Sequence, residues 1–389
     1  MKIGIIGAGR LGLTFALLCE QAGYEVIVSD VRQDYIDDLN KKIIDTNEPG
    51  VLSLLQKTNK FSATTNNLEV ISKSDLIYTF VQTPSLPTGD YDISYLMKVV
   101  EDFGIAFENE ISVNEKIFAI GCTTNPGDTK NIVGILNPYG VEVCYNPEFI
   151  AQGEIIKGLE LADMVLVGSE SQRVVSVLTD LYNKIQISEL KICAMSTMAA
   201  EITKIGINCY LTTKISYANM IGEILTSSGL KDEVGLVLHS IGSDSRIGKK
   251  YLNYGFGFGG PCLPRDNRAL GNYAQKIGLN VNLPYVVDDF NIHHADYLKN
   301  HYMMLNPDKT VPFVLSHVSY KKGTDMLVES QQLKLAYDLL NEGYMVNIIE
   351  VESIIRNQKF VSEISNDFPG KVKFYKVGTN PDGFKIEIE

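Results

Sequence analysis

Apolar and polar positions along the chain follow two rhythms. Over the first thirty residues the apolar run KIGIIG leads into the tight stretch AGRLG, then LTFALLCEQAG with helical spacing, then YEVIVSD. Short apolar runs bounded by glycine read as buried strands, so this opening predicts a strand, a tight turn, a helix and a second strand. Further strand-like runs follow at LIYTFVQTP, KIFAIGCTT, VEVCYNP and MVLVG, separated by polar or helical stretches. Such alternation predicts a parallel sheet with crossover helices. Ligands bind at the carboxyl ends of strands in sheets of this kind, which singles out QTPSLPTGDYD, CTTNPGDT and YNPEFIAQG.

From Thr197 the rhythm changes, and TMAAEITKIGINCYLTTKISYANMIGEILTSSG predicts one long helix ended by Gly229. Lys204 and Asn208 are four residues apart and Asn219 lies three turns further on, so all three share one face. A polar stripe on a mostly apolar helix is either solvated or part of a site. Helical patterns continue to about residue 301, with His293 and His294 read as helix-surface residues. A second strand–helix–strand unit is then predicted from TVPFVLSHVSY, ESQQLKLAYDLLNEG and YMVNIIEV, this one without a glycine-rich phosphate loop.

Composition narrows the function classes. A chain of 389 residues exceeds what one hydrophobic core usually serves. Hydrophobic content of 45% with 21% charged residues describes a folded globule rather than a disordered chain. A formal charge of −12 argues against a nucleic-acid or anionic-membrane surface. No apolar run reaches the ~18 residues of a membrane span, and the first residues lack a signal-peptide layout, so a soluble cytoplasmic protein is expected. The six cysteines form no CxxC pair, which fits reduced thiols. Five histidines lie outside the motif regions, giving no support to a metal site or a histidine-activated nucleophile.

Two motifs carry chemistry. Gly7, Gly9 and Gly12 have the G-x-G-x-x-G spacing between strand and helix, with Arg10 and Leu11 inside it and Asp30 closing the second strand. In this reading Gly7 makes the turn, Gly9 admits a pyrophosphate to the helix N-terminus and Gly12 permits close packing. Asp30 would accept from a ribose 2′-hydroxyl and repel a 2′-phosphate, which favours NAD over NADP. The second motif, GFGFGGPCLPRD from Gly255 to Asp266, sets one thiol, Cys262, behind four glycines. It describes either a loop shaped around a ligand or a glycine-rich turn with an inert buried cysteine.

Taken in order, these pieces resemble the UDP-glucose/GDP-mannose dehydrogenase family, most closely its UDP-glucose-oxidising members. The resemblance rests on the N-terminal glycine motif, NEPG, QTP, NPEFIAQG, EITKIGINCYLTTKIS, DSRIG and GFGFGGPCLPRD, and spans nearly the whole chain. It implies an α/β architecture: a Rossmann-like NAD domain over residues 1–196, a central long-helix dimerisation and catalytic-loop region over 197–301, and a smaller nucleotide-sugar domain over 302–389. The implied activity is a four-electron oxidation of a sugar C6 alcohol to a carboxylate, using NAD twice. Cys262 then matches the family nucleophile that forms a thiohemiacetal and a thioester. Lys204 and Asn208 match donors to the oxyanion, Asp266 matches the carboxylate that accepts the first proton with a water held by Thr123, and Glu148 matches the glutamate of thioester hydrolysis.

By the same resemblance Thr83, Thr123, Gln152 and Arg265 correspond to cofactor contacts, and Phe149, Tyr251, Asn253, Gly255, Gly259 and Lys321 to substrate contacts. Arg246 matches an arginine that reaches the neighbouring subunit's substrate, implying a homodimer with no nucleic-acid or membrane partner. The expected substrate is UDP-glucose. Another UDP-hexose, a UDP-N-acetylhexosamine or GDP-mannose is the alternative, followed by a single-hydride β-hydroxyacid dehydrogenase and a non-catalytic nucleotide-sugar-binding relative. Departures from the pattern are Arg265 for a usual lysine, Gln152 for a frequent glutamate, Val328 for a usual arginine, and a shorter tail after Val351.

Overall fold

Eight strands form the sheet of the N-terminal half: β1 (Lys2–Ile6), β2 (Glu25–Ser29), β3 (Phe61–Thr64), β4 (Leu76–Thr79), β5 (Ile117–Ile120), β6 (Glu142–Tyr145), β7 (Val165–Gly168) and β8 (Ile192–Met195). The computed structural model describes residues 1–150, 153–280 and 282–388, and the chain divides into two units, Met1–Ile205 and Gly206–Glu389. In the first unit the order is β3-β2-β1-β4-β5-β6-β7-β8, so the winding reverses between β1 and β4. Ligands bind at such a reversal, outside the carboxyl ends of the strands.

The strands read as continuous apolar runs because both of their faces are covered. Ile3 and Ile5 of β1 enter one hydrophobic cluster with Phe15 and Leu17 of helix α1 (Arg10–Gln21), while Ile6 enters a second cluster. Val26 and Val28 against Ile27, and Leu76 and Tyr78 against Ile77, repeat the split. Each such side chain taken fully out of water contributes ~1.5–3 kcal/mol.

One pairing departs from the all-parallel expectation. β7 meets β6 antiparallel at Tyr145 and Gly168, whereas β8 runs parallel to β7. Among its described residues the connection carries only the six-residue helix Ile155–Glu160, about 9 Å long at helical rise. It does not return the chain past the strands, so β7 starts from the end where β6 stops.

Four helices matter for the site: α2 (Asp128–Leu136), α3 (Gln172–Ile185), the long α4 (Thr197–Ser227) and α5 (Leu263–Lys276). α4 spans 31 residues and runs from the first unit into the second. Gly229, at φ 78°, follows its end, and the Leu230 amide closes back onto the Leu225 carbonyl. The second unit adds α6 (Leu283–Leu305), α7 (Gln331–Asn341) and strands β9 (Phe313–Leu315), β10 (Val346–Glu350), β11 (Val372–Lys376) and β12 (Phe384–Lys385). These strands form a parallel sheet in the order β11-β10-β9-β12. Phe313, Leu315, Val346 and Ile348 share a core with Leu335 and Leu339 of α7 and Leu298 and Tyr302 of α6. Among the described residues no helix is long and apolar enough to cross a membrane.

Candidate active site

A cavity of about 1190 Å³ opens at the β1–α1 turn, lined by Gly7, Gly9, Arg10, Asp30, Arg32 and Tyr35 among others. Gly7 sits at φ 97°, and a Cβ there would lie 2.8 Å from the Phe80 carbonyl oxygen. A Cβ on Gly12 would lie 2.1 Å from the Gly7 oxygen, so the turn and helix close only without side chains. At Gly9, the N-cap of α1, a Cβ would meet nothing within 4 Å, and no side chain caps the helix. That open N-terminus fits a bound pyrophosphate. Both Asp30 carboxylate oxygens accept from Arg32, at 2.8 and 3.0 Å, and the guanidinium lies 4.1 Å from the Tyr35 ring centroid. Arg32 thus aims the carboxylate: Oδ1 also accepts from the Arg32 amide at 3.2 Å, and Oδ2, with one donor, retains a lone pair for a ribose hydroxyl. These residues fit NAD. Leu11 packs half-buried against the core, and Thr83 is buried just beyond β4.

Glu201 on α4 organises the loop after β5. Its buried carboxylate accepts from Thr124 Oγ1 at 2.9 Å, the Gly127 amide at 2.6 Å, and the Thr129 amide and hydroxyl at 2.8 and 2.6 Å. Burial raises this carboxyl above its ordinary range and the four donors counter it. The loop that carries half-buried Thr123 is therefore anchored from the helix that also bears Lys204. Lys204, half-buried, donates to the Glu148 carbonyl oxygen at 2.7 Å and lies 4.5 Å from the Phe149 ring centroid. Glu148 Oε1 accepts from the Tyr182 hydroxyl at 2.5 Å. Burial pushes its carboxyl up to about 7, with the Tyr182 bond and the Lys204 charge acting in the opposite direction. Upstream, Glu48 of NEPG caps the short helix of this loop through the amides of Gly153 and Ile155. Gln152 lies outside the described residues.

In the second unit Cys262 is the N-cap of α5, with Pro264 in the first turn, and its thiol is exposed. A helix N-terminus favours the thiolate. The contrast with the four buried cysteines is sharp: burial pushes the thiols of Cys19, Cys122, Cys144 and Cys209 well up and keeps them neutral. Asp266, one turn into α5 and buried, accepts from Asn208 Nδ2 at 2.6 Å. Asn208, expected to face a substrate oxygen, spends one of its two amide hydrogens on Asp266, and the second remains for that oxygen. Arg265 is half-buried. Arg246 is exposed and paired with Asp244, while Tyr251 at φ 61°, Asn253 and Lys321 are exposed.

The loop before Cys262 is gripped by Asn219, already marked by the polar stripe of α4, and by Asn291 and His294, which sequence reasoning missed. Asn219 accepts from the Gly255 amide at 3.0 Å, Asn291 bonds both the amide and the carbonyl of Phe258 at 2.9 Å, and His294 Nε2 lies 2.8 Å from the Gly255 oxygen. His294 corrects an expectation: it is buried, not on the helix surface, and its Nδ1 lies 2.6 Å from Glu223 Oε1. Two acceptors flanking the ring make burial tolerable. His293 beside it is exposed as expected. The one signal for these residues was period: Asn291 and His294 are three apart, as are the layers of a helix face. Their partners, Phe258 and Gly255, were visible only as members of a glycine-rich run.

Two family models match the chain. Residues 1–186 match the NAD-binding domain of the UDP-glucose/GDP-mannose dehydrogenase family, and residues 198–293 match that family's central domain. A GDP-mannose 6-dehydrogenase from Pseudomonas savastanoi pv. phaseolicola is 30% identical over 361 residues, covering 90% of this chain and 81% of that protein. A UDP-glucose 6-dehydrogenase from Bacillus subtilis (strain 168) is 30% identical over 309 residues, covering 76% of this chain and 65% of the relative. In fold, a UDP-glucose dehydrogenase from the archaeon Pyrobaculum islandicum superposes with a TM-score of 0.82 at 23% identity, covering 96% of this chain and 85% of that one.

Proposed function

The chain belongs to the UDP-glucose/GDP-mannose dehydrogenase family and is an NAD-dependent nucleotide-sugar dehydrogenase, and from that premise we propose that it oxidises the C6 alcohol of UDP-glucose to the carboxylate through Cys262. The observation that carries the reading is the exposed thiol at the N-terminus of α5, in a chain whose buried thiols are held neutral. NAD, when bound, supplies the hydride acceptor for each of the two oxidations. Asp266 takes the alcohol proton, and Lys204 and Asn208 donate to the oxygen on which negative charge develops. The Cys262 thiolate adds to the aldehyde carbon, and the resulting thiohemiacetal is oxidised to a thioester. Water activated by Glu148 then attacks the carbonyl carbon, the C–S bond breaks with its electron pair going to sulfur, and the acid is released.

The same chemistry on GDP-mannose is the second reading, supported by the GDP-mannose 6-dehydrogenase relative. The quaternary reading is a homodimer. It is supported by Tyr210, Tyr217 and Ile224, exposed large side chains recurring every seven residues along α4, and by the exposed Arg246, which would reach the neighbouring substrate. A reducing compartment such as the cytoplasm suits a catalytic thiol. The test is stoichiometric: a panel of nucleotide sugars is oxidised to completion and NADH is counted. Two NADH per UDP-glucose supports the reading. One NADH per sugar, or turnover confined to GDP-mannose, overturns the chemistry or the sugar respectively.

A further inference from the structure

Resting on the reading of Glu148 as the base of thioester hydrolysis, we propose that Tyr182 is its positioning residue, a hydroxyl that turns between the Glu148 carboxylate and the Asn146 amide oxygen as Glu148 loses and gains its proton. Tyr182 is buried in α3. Its oxygen lies 2.5 Å from Glu148 Oε1 and 3.0 Å from Asn146 Oδ1. A phenol has one hydrogen and serves one of these acceptors at a time. Asn146 is held in place: its Nδ2 donates to the Leu166 carbonyl at 2.9 Å, and its Oδ1 also accepts from the Tyr78 hydroxyl at 2.6 Å.

The arrangement satisfies both protonation states. With Glu148 ionised, Tyr182 donates to the carboxylate. When Glu148 takes a proton from the attacking water, its new O–H donates to the phenol oxygen and the Tyr182 hydrogen turns to Asn146. Neither state strands a buried donor, which would cost the group its full desolvation. In the same step the water oxygen bonds to the thioester carbon and the C–S electron pair returns to Cys262. Among the described residues the other groups facing Glu148 are Lys204, on its carbonyl oxygen, and Cys19 and Tyr78, both kept neutral by burial. With burial setting the carboxyl at about 7, the fraction of active base is sensitive to a single donor near neutral pH.

The test compares full-length wild type with Glu148→Gln, Tyr182→Phe and the double variant Tyr78→Phe/Asn146→Leu. The readouts are the acid limb of kcat and the mass of sugar adduct on Cys262 after rapid quench with NAD⁺ and UDP-glucose. Tyr182→Phe removes a donor to a charged group, so the acid limb moves to higher pH. The rate at pH 6 falls about 10- to 100-fold, and the thioester adduct accumulates. The double variant removes the alternative acceptor, disfavours protonated Glu148 and moves the limb to lower pH. If Glu148→Gln abolishes the limb but Tyr182→Phe leaves limb and adduct as in wild type, the proposal is overturned while the hydrolysis reading stands. If Glu148→Gln keeps wild-type turnover and limb, the base assignment falls and the proposal with it. Should the double variant fail to fold in a melting curve, the direction seen with Tyr182→Phe decides alone.

Discussion

The loops Gly7–Gly12 and Gly255–Gly260 are both rich in glycine and both lead into a helix, yet their glycines answer to different neighbours. In the first loop the tightest constraint is local: a Cβ on Gly12 would strike the carbonyl of Gly7, five residues earlier, and only Gly7 also meets a distant group, the Phe80 carbonyl just past the adjoining strand β4. In the second, a Cβ on Gly257 would lie 2.2 Å from Asn291 Oδ1, on Gly259 2.4 Å from the Glu329 carbonyl oxygen, and on Gly260 2.4 Å from the Tyr320 ring. Those partners are 30 to 70 residues away in the chain. The first loop is closed mainly by its own strand–helix unit, with the end of the adjoining strand β4 pressing on Gly7. The second is a shape imposed by tertiary structure, and it ends on the exposed Cys262.

The comparison assigns separate tasks to the loops, and substitutions can break it. The largest effect is expected from Cys262→Ser. An alkoxide is formed far less readily than a thiolate and the oxygen ester is a poorer intermediate for turnover, so steady-state NADH production should nearly vanish. Binding of UDP-glucose, measured by calorimetry, should survive. Near-wild-type turnover would return the second loop to a structural turn. Next comes Asp30→Ala in the first unit. With the ribose acceptor gone, the preference for NAD⁺ over NADP⁺ in kcat/KM should narrow by roughly tenfold or more, through poorer use of NAD⁺, in keeping with the loss of hydrogen bonds to a charged group. Equal use of both cofactors by the wild type would remove Asp30 from this role.

How much was legible follows from the same contrast. The β1–α1 turn, six of the eight strands of the first sheet, α4 and the C-terminal strand–helix–strand unit were readable because each is specified by residues close in sequence, whereas β3 and β8, four residues each and only partly buried, did not stand out from their surroundings. Cys262 stood out as a thiol among glycines. The antiparallel β7 was not readable, since strand direction depends on where a connection packs rather than on strand composition. Nor were Tyr182, Asn146, Glu201 and Asn291, polar residues within or beside ordinary apolar patterns. Their partners are side chains or backbone groups tens of residues away. His294 was misread because histidine is amphipathic and the acid that shelters it, Glu223, lies 71 residues upstream.

His294 also yields the smallest and most selective expected effect. It bridges Glu223 of α4 and the Gly255 carbonyl, while Asn219 and Asn291 hold the neighbouring amides, so its loss should loosen one end of the second loop without releasing the rest. His294→Leu leaves a buried carbonyl and a carboxylate without this partner, a change that costs ~1–3 kcal/mol of stability. His294→Gln retains an N–H that can reach the carbonyl and should recover part of that loss. Because the loop is read as a substrate contact, KM for UDP-glucose should rise several-fold in the leucine variant while KM for NAD⁺ stays level. Denaturant unfolding and the two KM values measure this together. If KM for NAD⁺ rises instead, or if leucine and glutamine variants match wild type in both stability and KM, the distant clamp is not what shapes the second loop, and the distinction between locally and distantly specified glycines loses its functional content.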